Sequence, residues 1–377
     1  MATYQRTISS ASMRVVFTVT NDLTYDQRMH RICGSLAANG YTVTLVGRSL
    51  PASFPLDEKP YQQIRFRLPF QKGFAFYAVY NIRIFIYLLF SRYDAVCSID
   101  LDSLPAGCLA SLLRGKKRVF DAHEYFTEVP EVVNRPLVKR FWALIAKVFL
   151  PFYRHAYTVG PGLANLFRSI YGLEFSVVRN VPNFISMSSK SELADKKTLL
   201  YQGALNEGRG IETLLEAMQQ LPDYQLVLAG EGDLSLRLRQ TADSLKVQDR
   251  VMFLGFVKPD VLKTWTQKAW LSLNLLENKG LSYYYSLANK FFDSVQAGVP
   301  VLTMDFPEYH ALNQEFEVAV LLPELQVELV VAAIRNLAQN EGKYAFLSEN
   351  CLQAARIWNW EHDEKILLEV WKRVGEG

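Results

Sequence analysis

Cysteine is scarce. The four among 377 residues (Cys33, Cys97, Cys108 and Cys351) form no C-x-x-C pair and have no histidine at metal-ligand spacing. A disulfide framework is therefore excluded, and reduced, buried thiols of a cytosolic protein are expected. Glycine and proline together number 35, which leaves no room for collagen-like or low-complexity character. With 50% hydrophobic and 21% charged residues, long disorder is excluded as well. Long apolar runs are also lacking. The longest, 74–90, is interrupted by Asn81 and Arg83, short of the roughly 20 clean apolar residues that a spanning helix needs. A buried or interfacial helix is expected there. The N-terminal stretch carries no apolar segment ahead of the first strand-like run, so a secretory signal is not expected. No repeat of 20–50 residues is visible.

What is present is length and alternation. A chain of 377 residues suggests two domains or one large α/β unit. The run 14–20 is β-rich, 26–39 is an amphipathic helix stopped by Gly40, and 41–46 is a second strand; this is a βαβ unit with parallel strands. Short strands recur at 94–99, 117–121 and 156–160. A second series begins with a strand at 198–202, followed by the glycine-rich loop 203–210, a helix at 211–220 and a strand at 224–229. Strands at 251–254, 271–275 and 299–303 follow. The polar, Ser-rich stretch 185–197 separates the two series. The expected architecture is α/β: two Rossmann-like doubly wound domains, at 13–184 and 198–357, facing across a cleft that holds the ligand at the carboxyl ends of the strands. Residues 185–197 form the linker, and 358–377 a closing segment.

Charge divides along the same line. Residues 1–190 hold 23 Lys and Arg against 12 Asp and Glu, or +11; residues 191–377 hold 18 against 26, or −8. The basic half is expected to face something anionic: nucleic acid, membrane or a phosphorylated ligand.

Several residues could carry chemistry. Gly203, Arg209 and Gly210 lie in a strand-to-helix loop where bare backbone N–H groups and a guanidinium can grip phosphate, although such loops also occur without ligands. Lys290 lies in the first turn of the segment 289–296. A cation there opposes the helix dipole unless an anion is bound, and a solvated lysine is the alternative. Asp293 lies one turn beyond Asn289, on the same face, where a carboxylate can accept bonds from sugar hydroxyls or simply complement the dipole. His123 and Glu124 directly follow a strand, so they should face the cleft; a structural histidine and a solvated carboxylate are the alternatives.

These motifs together resemble the GT-B glycosyltransferases of the large retaining "group 1" family over nearly the whole chain. The diphosphate-binding loop of that family resembles Gly203-Ala204-Leu205 through Arg209-Gly210, with Ala204 in place of an arginine and Arg209 in place of a lysine. Its Gly-rich turn resembles Gly230-Glu231-Gly232-Asp233. Its Glu-x7-Glu motif falls on Tyr285 and Asp293, with Ala297-Gly298-Val299-Pro300-Val301 fixing the register and Ser286-Leu287-Ala288-Asn289-Lys290 marking a bacterial subgroup. The resemblance implies donor binding by Gly203, Arg209, Gly210, Gly232, Tyr285, Ser286, Asn289, Lys290 and Asp293, with ribose on Asp293. It implies His123 near the transferred sugar, and acceptor contacts from Asn21, Asp22 and Glu124. Trp358 to Glu361 and the helix after them imply a clamp onto the N-terminal domain.

The implied function is transfer of a hexose, with retention, from a UDP- or GDP-sugar to a glycan or lipid-linked acceptor in polysaccharide biosynthesis. No cofactor or metal is expected. A non-catalytic nucleotide-sugar-binding protein of the same fold and a sugar-nucleotide epimerase are the alternatives, the former motivated by Tyr285 and Ala204. Basic and aromatic residues mix in two segments: Arg65, Arg67, Lys72, Arg83 and Arg92 around 74–90, and Arg135, Lys139, Arg140, Lys147 and Arg154 through 135–154. That mixture suits an anionic membrane surface better than nucleic acid, so a cytoplasmic protein, peripheral at the inner face of the membrane, is expected. A core with a wet basic rim is the competing reading of both segments.

Overall fold

The computed structural model describes residues 12–51, 53–186 and 197–376. The first domain is built on seven parallel strands: β1 (Arg14–Thr18), β2 (Thr42–Ser49), β3 (Gln62–Arg67), β4 (Ala95–Ile99), β5 (Lys117–Ala122), β6 (His155–Thr158) and β7 (Phe175–Val177). Their order is β3-β2-β1-β4-β5-β6-β7. The helices are α1 (Gln27–Ala38), α2 (Gly73–Phe90), α3 (Asp100–Leu113), α4 (Pro130–Val133), α5 (Pro136–Phe149) and α6 (Pro161–Tyr171). The second domain orders six parallel strands β10-β9-β8-β11-β12-β13. They are β8 (Thr198–Gln202), β9 (Gln225–Ala229), β10 (Val251–Gly255), β11 (Leu271–Asn274), β12 (Val301–Met304) and β13 (Ala319–Leu322). Around them lie α7 (Ile211–Gln219), α8 (Ser235–Ser244), α9 (Pro259–Lys268), α10 (Leu281–Tyr284), α11 (Asn289–Gln296), α12 (Pro307–Glu315), α13 (Val327–Gln339) and α14 (Glu341–Ala355), and the chain closes with α15 (Trp360–Glu376).

Local chemistry explains these elements. Central strands such as β4, β8 and β12 are buried at every position because helices cover both faces of a parallel sheet, which is why they read as continuous apolar runs. Helix α1 starts where the Asp26 carboxylate accepts from the Met29 N–H at 3.1 Å, and it ends before Gly40, at φ +86°. Proline opens α4, α5, α6, α9 and α12, where its missing N–H has no partner to lose. Strands β3, β7 and β13 went unread in the sequence: β3 and β13 are edge strands, and β7 has three residues. Strand β12 starts at Val301, two residues later than expected, because Pro300 has no N–H for the ladder.

The strand order reverses between β1 and β4 in one sheet and between β8 and β11 in the other, so each domain has its crevice at the carboxyl ends of those strands. All four cysteines are buried and free. Most of the expected linker, 187–196, lies outside the described residues. The C-terminal segment does return. Trp360, Leu367, Val370, Trp371 and Val374 of α15 join the core around Phe17, Ile32 and Cys33 of the first domain, with Trp371 5.3 Å from the Phe17 ring. The helix begins at Trp360, inside the segment Trp358 to Glu361 that was expected to precede it, and Asp363 receives the Arg179 guanidinium at 2.7 Å. The two crossing strands of chain also hold each other: the Trp360 N–H donates to the Pro182 carbonyl at 2.9 Å, and the Phe184 N–H to Glu361.

Candidate functional site

The cleft between the domains contains a cavity of about 150 Å³. From the first domain it is lined by Arg28, His123, Glu124 and Asn180, and from the second by Arg209, Tyr283, Ser286 and Asn289. His123, Glu124, Arg209, Ser286 and Asn289 thus meet as expected although up to 166 residues separate them.

His123 follows β5 and is held on two sides. Its Nε2 lies 3.0 Å from an Asp121 carboxylate oxygen, and its backbone N–H donates to Asp100 at 2.8 Å. Asp121 is fully buried and paired at 2.9 Å with Arg28 of α1, itself 3% exposed. Burial alone would lower the His123 pKa. Asp121 first, and Asp100 after it, outweigh burial and raise the imidazole to about 9. Burial also opposes ionisation of Asp121, but Arg28 and His123 overcome it and hold that carboxyl below its usual value. Asp100 differs: burial pushes it up to about 8, with His123 only partly offsetting. Asp100 opens α3 at φ +53°, a left-handed conformation that costs a non-glycine residue energy and aims its carboxylate at His123. The roles of Arg28 and Asp100 were not read from sequence. Asp100 stands directly after β4 as His123 stands after β5, and that placement was the available signal.

On the opposite wall, β8 ends in the loop that the sequence marked. Gly203 takes φ +129°, and Gly230, at the end of β9, approaches it so closely that a Cβ there would lie 2.0 Å from the Gly203 carbonyl oxygen. Gly232 presses on the same loop, since a Cβ would meet Asn206 Oδ1 at 2.3 Å. Gly210, at φ +67°, is the residue that starts α7. Gly203 and Gly232 therefore shape the loop, and Gly210 turns it into the helix.

The cations sit above this loop. Lys290 is buried, not solvated, with Nζ 3.8 Å from the centre of the Tyr201 ring and close to Gly203. Burial and then repulsion from Arg209 drive its pKa well below normal. Arg209 lies over the Tyr283 ring at 4.8 Å, and its Nε is buried without a hydrogen-bond partner. Among the described residues no carboxylate pairs with either cation.

Of the nine expected donor residues only Arg209, Ser286 and Asn289 line this cavity; Gly203, Gly210, Gly232 and Lys290 lie in or against the loop beside it, and Asp293 and Tyr285 elsewhere. Asp293 opens onto a second, larger cavity of about 420 Å³, shared with Arg31, Pro182, Gln202 and Thr266. There Gln202 donates to Asp293 at 3.0 Å and accepts from the Thr266 hydroxyl at 3.0 Å. Burial raises Asp293 to about 6, with Arg31 and Gln202 opposing. Tyr285 does not line either cavity. It packs with the first domain's core against the start of α6, where a Cβ on Gly162 would lie 2.5 Å from its ring. Beside it, Glu308 of α12 accepts from the Gly162 N–H, a bond across the domains. On the acceptor side, Asn21 donates to Asp26 at 3.1 Å. Asp22 is engaged by the Thr24 N–H, the Ser53 hydroxyl and Arg65 at 3.1 Å. Both are thus spent on holding the loop before α1, and Arg65 is an ion-pair partner instead of a free surface cation.

Residues 184–354 match the family described as "Glycosyl transferases group 1", and residues 27–189 match "Glycosyltransferase Family 4". An alpha-monoglucosyldiacylglycerol synthase of Streptococcus pneumoniae is 29% identical over 132 residues, 33% of this chain and 28% of that one. The chain thus matches about a quarter of the length of such curated relatives. Among solved structures, a sucrose-phosphate synthase from Thermosynechococcus elongatus superposes with a TM-score of 0.81 at 17% identity, covering 97% of this chain and 99% of that one. An Anabaena protein in complex with UDP and glucose superposes at 0.75 and 16% identity, covering 96% and 99%. The shared fold is GT-B.

Proposed function

We propose that this chain, whose two halves match "Glycosyl transferases group 1" and "Glycosyltransferase Family 4", is a GT-B glycosyltransferase that transfers a hexose from a UDP- or GDP-sugar, with retention, to a glycan or lipid-linked acceptor. One observation carries the donor half of this reading: Arg209 and Lys290 repel each other in the cleft, rest on aromatic rings and have no carboxylate partner among the described residues. Two such cations call for an anion, and a diphosphate placed between them and the N-terminus of α11 at Asn289 would satisfy both. Its arrival would also oppose the lowering of the Lys290 pKa. Asp293, in the second cavity, would accept the ribose hydroxyls, and His123 would donate toward the sugar or its leaving oxygen.

Catalysis in this reading is positioning plus electrostatic stabilisation of the departing diphosphate, with no resident cofactor proposed. The neighbouring carboxylates raise the His123 pKa, which suits it to donate a hydrogen bond in this reading. A lipid acceptor draws support from the relative named as a diacylglycerol glucosyltransferring synthase. The test is nucleotide release and product formation by purified protein with a panel of UDP- and GDP-sugars and glycan or glycolipid acceptors. Transfer with one donor is expected. Interconversion of the donor without acceptor would indicate an epimerase, and nucleotide binding without turnover a non-catalytic protein.

A further inference from the structure

The first domain carries a surface that its own core does not need. Helix α2 is apolar on every side, with a mean hydropathy of 1.5. Its inner face, Phe76, Tyr80, Ile84 and Leu88, is buried in the domain, and the Tyr80 hydroxyl bonds the Val19 carbonyl, so this helix is fixed to the sheet and does not leave it. Its outer face presents Phe74, Ile82, Ile86 and Phe90, the last 84% exposed. Apolar residues at both faces mean that the fold covers only half of what the helix offers.

Helix α5 repeats the pattern more sharply. Only Trp142 and Ala146 are buried. Leu137, Phe141, Leu144 and Val148 recur at intervals of four, three and four, which places them within about 60° of one another around the helix. All four are exposed, Leu137 at 79%. The helix therefore turns its most regular apolar stripe toward solvent. The two outer faces are continuous, because the Phe74 and Phe141 rings meet at 5.8 Å. Of the 25 large exposed apolar side chains among the described residues, nine lie on α2 and α5, which sets these two helices apart from scattered surface hydrophobics.

Charge identifies what would cover the face. Neither helix contains an acidic residue. Lys72, Arg83, Arg92, Arg135, Arg140 and Lys147 are exposed on or beside the two helices and form no ion pair among the described residues, whereas Lys139 is taken by Glu128. On α5, Arg140 and Lys147 border the apolar stripe on one side. An apolar stripe bordered by unpaired cations is complementary to a bilayer with acyl chains beneath anionic headgroups.

We propose that α2 and α5 form a docking face for an anionic lipid bilayer, with Phe74, Leu137, Phe141 and Leu144 entering the interface and the flanking cations on the headgroups. Helix α5 starts 12 residues after Glu124, so docking brings the acceptor wall of the cleft toward the lipid. The surface argument stands independently of the donor reading.

Co-sedimentation of the full chain with vesicles tests it. Phosphatidylcholine vesicles containing about one third phosphatidylglycerol should bind roughly ten-fold more protein than pure phosphatidylcholine, with binding lost at high salt. The double variant Leu137→Glu/Leu144→Glu should lose roughly ten-fold of that binding. Arg140→Glu/Lys147→Glu should reduce binding to anionic vesicles alone. Both variants alter exposed positions, so circular dichroism and donor turnover in detergent-free solution should match the parent. Equal binding to both vesicles, binding unchanged in both variants, or a homodimer in solution that Leu137→Glu/Leu144→Glu dissociates would each overturn the proposal. Donor turnover without vesicle binding would overturn it while leaving the proposed function intact.

Discussion

At the scale of single residues, the cleft is organised by charges whose partners come from distant segments. Arg28 reaches Asp121 across 93 residues of sequence, and that buried pair fixes the histidine that follows. Replacing Asp121 by Asn would remove the main charge that raises His123. The imidazole, followed by NMR, should titrate near 9 in the parent and move toward its ordinary value near 6.5 in Asp121→Asn. The sign for stability follows. A histidine pKa raised on folding contributes stability that is fully present below about 6.5 and lost as pH rises through about 9. Asp100, raised to about 8, adds a loss of the same sign within that window. His123→Gln should therefore show a shallower decline of chemical-denaturation stability between those two values than the parent. Arg28→Met removes one of the two cations held against the buried Asp121, leaving His123 alone, and should cost up to about 3–5 kcal/mol.

At the scale of elements, legibility followed burial. The runs 198–202 and 289–296 were read to the residue as β8 and α11, because a fully buried strand between polar loops and a helix stopped by Ala297-Gly298 leave little choice of register. Strand β3, QQIRFR, is half polar because it is an edge, and β7 is too short for a period to register. In the site, His123, Arg209 and Asn289 could be placed because each stands at a strand end or helix start. Tyr285 could not, since its surroundings are supplied by Gly162 and the core of the other domain. The cations of this wall give an element-level prediction. Arg209→Met and Lys290→Met should each weaken nucleoside-diphosphate binding about 10–100-fold, the range of one charge-assisted hydrogen bond to an anion, as read by calorimetry. Because Arg209 repels Lys290 and both lack a carboxylate partner among the described residues, either substitution should stabilise the empty protein or leave it unchanged. Destabilisation of several kcal/mol would make these residues structural.

At the scale of the whole molecule, two contacts on either side of the cleft set how the domains meet. The crossing segments and α15 tie them on one side, through Trp360 to Pro182 and Asp363 to Arg179. Across the cleft, the start of α6 receives Glu308 and Tyr285 from the second domain at Gly162. That approach needs a residue without a side chain: a Cβ on Gly162 would lie 2.5 Å from both the Glu308 oxygen and the Tyr285 ring. Gly162 stands in the first turn of α6, where alanine is compatible with the helix, so Gly162→Ala should leave each domain folded. The substitution instead pushes on two side chains that belong to the other domain, and the tied side acts as the hinge. We expect a larger radius of gyration by small-angle scattering, an unchanged far-ultraviolet circular dichroism spectrum and a raised KM for the donor, because His123 and Arg209 line one cavity from opposite domains. Glu308→Gln keeps the shape of the contact but weakens the bond to the Gly162 N–H, and should open the molecule less. Scattering identical to the parent in both variants would show that the α6 contact does not govern closure.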